Sequence, residues 1–323
     1  MSVISKPKKK LLSPGRPLLR YPGGKFRGAK KIFEFIPADT KEICSPFLGG
    51  GSVELLCANN GMRVYGYDKF ASLVDFWNCL IRKPDELAQL VAGWWSTGDM
   101  KFDKKRGIWV AGLSKYYEKK DLITNKHGKK VWAHENYRKL KEELLSPELS
   151  QLERAALFYV INRTSFSGSA LSGGVTLGNP RFTESSVQRI LDFKDANKTK
   201  NITVEYLDFR ESIEKNKQKL MYLDPPYWLE GKLYGEKGDL NFQEKDHLAL
   251  FEILKKTKKW ILSYNDSKKV REIYRDYRIV PMEWAYGMKN YNGPTKNKNG
   301  EKIKKKKKKQ MPKSSEVLIL NGI

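Results

Sequence analysis

The stretch Asp224-Pro225-Pro226-Tyr227 sets a carboxylate, two prolines and an aromatic ring at the end of a short apolar run, Lys219-Leu220-Met221-Tyr222-Leu223. The run reads as a buried strand. Two successive prolines cannot extend it, because each lacks an N–H and fixes φ. The chain must turn away at Asp224. A carboxylate and an aromatic face are then left at the strand's C-terminal edge, where open α/β sheets bind ligands. An aromatic amine suits such a site. Its nitrogen is a poor nucleophile, since the lone pair is delocalised into the ring. Asp224 can accept one amine hydrogen and the carbonyl of Pro225 the other, which aims the lone pair at an electrophile. Tyr227 can stack on the ring and stop it rotating. No metal and no covalent nucleophile are required. A solvated Asp in a proline-rich loop is the plainer alternative.

Two further segments carry residues able to hold a ligand. Phe47-Leu48-Gly49-Gly50-Gly51-Ser52 follows a predicted strand over 41–47 and opens a predicted helix over 52–58, with Ser52 near its N-cap. Glycines allow close backbone approach, and a helix N-terminus offers free N–H groups. The next predicted strand, 63–68, ends on Asp68, which can accept two hydrogen bonds from a ribose diol. Asp68 lies 17 residues after Gly51, a shorter spacing than in dinucleotide folds. A tight turn with no ligand explains the glycines alone equally well. Arg20-Tyr21-Pro22-Gly23-Gly24-Lys25 precedes a helical pattern over 30–36, so Lys25 stands at a loop-to-helix entry beside a glycine pair. A cation and an aromatic placed there can hold a carboxylate and stack on a base. Taken by itself, this segment reads as an ordinary Pro-Gly turn.

The elements that must position these residues alternate in type. Strand, glycine turn, helix and strand ending in Asp make a nucleotide-type βαβ half-unit. From about 84 to 200 the texture changes to Trp-, Lys- and helix-rich sequence, with helical patterns over 131–145 and 149–161 and a polar glycine loop over 165–174. After 201 the alternation resumes, with strands expected over 202–206, 220–223, 260–264, 278–282 and 316–320 and a helix over 243–255. The expected fold is α/β, a mostly parallel Rossmann-like sheet interrupted by a helical insertion. Its organisation reads as a basic flexible arm over 1–18, a catalytic domain over 19–83 plus 201–323, and a recognition region over 84–200. No internal repeat is evident.

Bulk properties narrow the function. The 323 residues are 40% hydrophobic and 12% aromatic, enough for a real core. No apolar run approaches the roughly 20 residues that span a bilayer, and the N-terminus lacks the apolar segment of a secretory signal. An intracellular protein is expected. Cys44, Cys57 and Cys79 lie in apolar segments without CxxC spacing, which reads as buried thiols. His127, His134 and His247 have no metal-ligand spacing, so no metal site is expected. The net charge of +25 points to a polyanionic partner, nucleic acid first.

Taken in order, these motifs resemble the Dam-type, alpha-group DNA adenine methyltransferases. RYPGGK (20–25), PFLGGGS (46–52), YGYD (65–68) and DPPY (224–227) carry the resemblance. Weaker echoes are LDF (207–209), QEKDHLALFEIL (243–254), ILSYNDS (261–267) and SSEVLILN (314–321). The resemblance implies S-adenosyl-L-methionine as cofactor and double-stranded DNA as substrate, with the target base turned out of the duplex. It implies that Tyr21 and Lys25 contact the cofactor, Lys25 near the methionine carboxylate. The turn holding Phe47, Gly49, Gly51 and Ser52 wraps the methionine portion. Asp68 binds the ribose, and Asp208 and Phe209 flank the cofactor adenine. Asp224 also borders the cofactor, and with Pro225 and Tyr227 it holds the target adenine. The stretch 162–168 resembles a loop of the family placed to touch DNA, which nominates Arg163 and Ser165. Lys115, Arg138 and Lys139 are further candidates for DNA contact. Lys304, Lys305 and Lys306 suit phosphate attraction more than base reading, which prefers Arg, Asn or Gln. A monomer is expected, and a restriction endonuclease acting at the same site is a conceivable partner. Asp in the first motif position favours adenine over the amine of cytosine. A cytosine-N4 or RNA amine enzyme, or a binder that keeps the fold without catalysis, stays open as an alternative.

Overall fold

The computed structural model describes residues 11–13, 15–21, 23–95, 98–103, 108–112, 122–124, 130–132, 134–165, 168, 182, 184–197, 199–228, 242–282 and 316–323. The chain runs α1 (Ala29–Phe33), β1 (Glu42–Ser45), α2 (Ser52–Asn59), β2 (Arg63–Asp68), α3 (Ala71–Arg82) and α4 (Pro84–Trp95). Two antiparallel hairpins follow, β3 (Gly98–Asp103) with β4 (Ile108–Gly112) and β5 (Leu122–Thr124) with β6 (Lys130–Trp132). Then come α5 (His134–Leu144), α6 (Gln151–Thr164) and α7 (Glu184–Ala196). The alternation resumes with β7 (Ile202–Tyr206), α8 (Phe209–Asn216), β8 (Leu220–Leu223), α9 (Glu244–Leu254), β9 (Trp260–Asn265), α10 (Lys268–Ile273), β10 (Arg278–Met282) and β11 (Glu316–Asn321).

Seven of these strands form one sheet in the order β10-β11-β9-β8-β1-β2-β7. The run β7-β2-β1-β8-β9 is parallel throughout, and β11 runs antiparallel between β9 and β10. All four residues of β8 are buried, as are the first five of both β9 and β11. Such unbroken buried runs belong to strands covered on both faces. One apolar cluster packs α2, α3, α4, α6 and α7 on one face, and the other joins α8, α9 and α10 to the opposite face. The Rossmann-like α/β architecture expected from the alternation is the one observed. Cys44, Cys57 and Cys79 are buried free thiols, as their apolar settings implied.

The structure differs from the expected organisation in three ways, two of them between 84 and 200. The helices of that region are joined by two hairpins, and the helical pattern expected from 131 begins only at His134, because 130–132 pair as a strand. Helices α4, α6 and α7 also enter the sheet's own core, where Leu87, Ile161 and Ile190 share a cluster with Val64 and Ile202. Helix α6 opens on a Ser150–Glu153 capping box, and its residues from Ala155 to Thr164 are buried without interruption. A helix apolar all round its middle turns belongs inside a core. Third, of the arm expected over 1–18, residues 1–10 and 14 lie outside the described residues, and 11–13 and 15–18 pack against the domain. Leu18 and Leu19 are buried, Leu12 exchanges two hydrogen bonds with Asn60, and Arg163 donates to the Leu18 carbonyl. Apolar anchors and paired backbone groups hold this part of the chain against α2 and α6.

Candidate active site

Adjacent parallel strands β1 and β8 are where the sheet reverses its order of construction. The chain moves from β1 to β2 and β7 on one side, returns to β8, then continues to β9 on the other. Ligands of open α/β sheets bind outside the carboxyl ends of the strands at such a point. The glycine turn after Ser45 and the Asp224 segment after Leu223 both emerge there.

Four contacts hold the glycine turn. Leu48 N–H donates to the Tyr67 carbonyl at 2.8 Å, Gly51 N–H to the Leu48 carbonyl at 2.9 Å, and Gly49 N–H to Asp68 Oδ2 at 3.0 Å. The Trp77 indole N–H donates to the Gly49 carbonyl at 3.0 Å. Gly51 caps α2 with φ +64°, and a Cβ on it would stand 2.6 Å from the Trp77 ring. Only glycine fits this cap without strain. Ser52 is the first helical residue, one place inside the cap expected for it. The Tyr21 ring packs under the turn, 3.0 Å from where a Cβ on Gly49 would lie.

Asp68 closes β2 with Oδ1 accepting from Phe70 N–H and Oδ2 from Gly49 N–H, both at 3.0 Å. Burial pushes its carboxyl up to about 6, against these hydrogen bonds. Each oxygen keeps a lone pair for a further donor. Asp208 caps α8 by accepting from Arg210 N–H, and it pairs with Lys69 at 3.2 Å and with the Arg210 guanidinium. Burial alone would raise Asp208, but these partners together hold it below the usual carboxylate range. Phe209 stacks on Phe47 at 5.5 Å between ring centres, and Phe242 packs on both. The three rings form an apolar wall between Asp68 and the β8 end of the sheet.

At the end of β8, Asp224 meets Lys25. The ammonium donates to Asp224 Oδ2 at 2.9 Å and to the Gly23 carbonyl at 2.6 Å, and it lies 2.8 Å from Oδ1. Oδ1 nonetheless has no hydrogen bond of good geometry among the described residues. Lys25 also sits 4.8 Å from the centre of the Tyr227 ring. Burial raises the Asp224 carboxyl, and Lys25 pulls it down. Lys25, expected near the cofactor's carboxylate, is the counterion of Asp224 in this structure. A carboxylate in an enclosed site stays ionised only with such a partner. The loop beyond is pinned by aromatics: Trp228 stacks on His247 at 4.3 Å, and His247 Nδ1 meets the Tyr264 hydroxyl at 2.5 Å. Burial lowers His247 to about 4, so the ring is neutral.

A family model described as D12 class N6 adenine-specific DNA methyltransferase matches residues 21–288. The chain belongs to this family. Comparison with curated proteins gives no match. The enzyme is therefore a transferase that methylates the N6 amine of adenine in DNA, as its motif order implied.

Not every nominated residue reaches the methyltransferase's site. Arg163 and Ser165 are buried, Arg163 at 6% exposure and Ser165 at 0%. Arg163 donates to Leu18, the Ser165 hydroxyl to the Asn162 carbonyl, and the Ser165 carbonyl accepts from the Arg20 guanidinium at 2.8 Å. Groups engaged inside the protein are not placed to touch DNA, and the expectation is corrected accordingly. Asn162 shows what this stretch does: its amide brackets Arg20, accepting from its N–H at 2.9 Å and donating to its carbonyl at 2.8 Å. That bracket fixes the chain one residue before Tyr21. Arg138 is exposed beside Glu142, and Lys139 is also exposed. Lys115, Lys304, Lys305 and Lys306 lie outside the described residues.

Sequence reasoning missed Trp77, Glu54, His247 and Glu316. Glu54 is buried on α2 and accepts from Ser45 Oγ at 2.6 Å. Its signal was a charged residue inside an otherwise apolar helix, Ser-Val-Glu-Leu-Leu-Cys-Ala.

Proposed function

We propose that the enzyme takes its methyl group from S-adenosyl-L-methionine, held across the switch point, and delivers it to an adenine amine clamped by Asp224 and Pro225. The observation that carries this reading is the Asp224 carboxylate, fixed against Lys25 at the end of β8 and followed by Pro225 and Tyr227. A cofactor of this kind fits the residues present. Asp68 has lone pairs for a ribose diol, and Phe47 and Phe209 offer an apolar wall for an adenine. The cofactor supplies an electrophilic methyl group on a sulfonium.

The protein's own part is orientation. Asp224 Oδ1 accepts one N6 hydrogen and the Pro225 carbonyl the other, so the lone pair of the amine is directed and not shared with the ring. Tyr227 stacks on the base once it has left the duplex, where its amine is otherwise paired. Recognition of the DNA sequence falls to the region between 84 and 200, where the two hairpins and the exposed face of α5, with Arg138 and Lys139, lie beside the helices that complete the core. Lys304, Lys305 and Lys306 attract phosphates. A monomer acting alone on duplex DNA is the simplest assembly, and a restriction enzyme sharing its site is compatible with it.

The test is transfer from labelled S-adenosyl-L-methionine to unmethylated duplex DNA, followed by nucleoside analysis and sequencing of modified positions. Label in N6-methyladenine at one short motif, lost in Asp224→Ala with cofactor crosslinking retained, supports the reading. An Asp224→Ala enzyme with full turnover would sink the clamp.

A further inference from the structure

Glu316 opens β11 directly opposite Asn265 at the end of β9, on the same sheet edge as Asp224. It is buried at 3% exposure, yet neither carboxylate oxygen has a hydrogen bond of good geometry among the described residues, the Tyr227 hydroxyl being its nearest donor besides Lys25. A buried carboxylate kept only for structure would be satisfied. The cation nearest to it is Lys25, whose Nζ lies 3.9 Å from Oε2. The hydrogen bonds of that ammonium go instead to Gly23 and Asp224. One lysine thus stands between two carboxylates, bonded to one and within an ångström or so of the other, since a charge-assisted bond needs about 2.8 Å. The hydroxyl of Tyr227, which also lacks a hydrogen bond of good geometry, borders the same carboxyl.

We propose that Glu316 is a positioning residue of the amine clamp: it receives Lys25 as the target amine takes its place on Asp224. This rests on the reading of Asp224 as the amine acceptor. In the present arrangement Lys25 crowds Oδ1 at 2.8 Å, the oxygen left for the amine hydrogen. A small shift of the ammonium toward Glu316 opens that oxygen while its hydrogen bond to Oδ2 persists. The unbonded oxygens of Glu316 are the vacant end of this shift. Lys25, Asp224, Tyr227 and Tyr222 are the titratable groups that face Glu316 among the described residues. Burial pushes Glu316 up to about 7, so protonation in mildly acid solution removes the receiving charge.

The experiment is a double-mutant cycle on the full-length enzyme with Glu316→Gln, Lys25→Met and the pair, read by single-turnover methylation and by the fluorescence of 2-aminopurine at the mapped target position. Glu316→Gln is expected to slow methylation by roughly ten- to a hundredfold, the scale of an ångström's misplacement, while base extrusion persists. In the Lys25→Met background the same change should cost less than about twofold, because the residue acts through Lys25. Equal losses in both backgrounds, or full activity of Glu316→Gln, would overturn the proposal. The pH profile of the unaltered enzyme gives a check that needs no variant to fold. Methylation should fall as pH drops through about 7, and a flat profile from pH 5.5 to 8 would also overturn it. Asp224→Ala, run alongside, separates the two readings: if it stays active, the clamp itself fails.

Discussion

The indole of Trp77 holds the carbonyl of Gly49 at 3.0 Å while its ring closes the space beside Gly51. One side chain on α3 therefore fixes both the position of the turn and the identity of its last residue. Gly51→Ala should destabilise the protein by roughly 1–3 kcal/mol, the range for a residue forced into a sparsely populated backbone region, with the ring clash added. Denaturant unfolding measures this. Ultraviolet crosslinking of S-adenosyl-L-methionine should weaken in step, and an unchanged midpoint with unchanged crosslinking would show that the turn is not held this way.

Asn162 has a role distinct from touching DNA. Removing its amide in Asn162→Ala leaves the N–H and carbonyl of Arg20 without their partner, at a cost of about 1–3 kcal/mol. The Arg20 amide should then exchange with solvent much faster than in the parent, and cofactor crosslinking should weaken through Tyr21. The slope of DNA affinity against salt should not change. A shallower slope in this variant would restore a phosphate-binding role to the stretch.

Glu54 makes stability depend on pH in a defined direction. Burial raises its carboxyl from 4.5 to about 7. Between those values the folded protein holds a proton that the unfolded chain has released. Its contribution to stability is therefore greatest below the unfolded value and declines as pH rises toward 7. The full displacement corresponds to on the order of 3 kcal/mol. Glu54→Gln keeps an acceptor for Ser45 and removes the titration. Its stability relative to the parent should rise between pH 5 and 8 in parallel denaturation curves, and a constant difference across that range would contradict the assignment.

The net charge of +25 predicts strongly salt-dependent DNA binding. Affinity should fall at least about tenfold between 50 and 200 mM salt. Changing Lys304, Lys305 and Lys306 together to Ala should make the log–log slope shallower by roughly one for each phosphate that is no longer neutralised. An unchanged slope would remove these lysines from the interface.

Local chemistry wrote much of the fold into the chain. Prolines 225 and 226 end the strand before them, and the apolar runs of β8 and β9 suit a sheet covered on both faces. These are properties of a few neighbouring residues, and they were legible. The hairpins β3–β4 and β5–β6 were not, because strands this short carry little period and depend on pairing for their existence.

Arg163 marks the opposite limit. An arginine in a polar, glycine-rich stretch of a basic protein reads as a surface contact, and only its depth behind residues 11–20 turned it into an internal strut. Lys25 and Glu316 are a second case. They stand 291 positions apart in the chain, and nothing local links them. The sequence alone determined the family, the α/β alternation and the residues able to clamp an amine, because each depends on residue type and order. Only the tertiary structure decided which carboxylates face Lys25, since that depends on β8 and β11 ending at the same edge of one sheet.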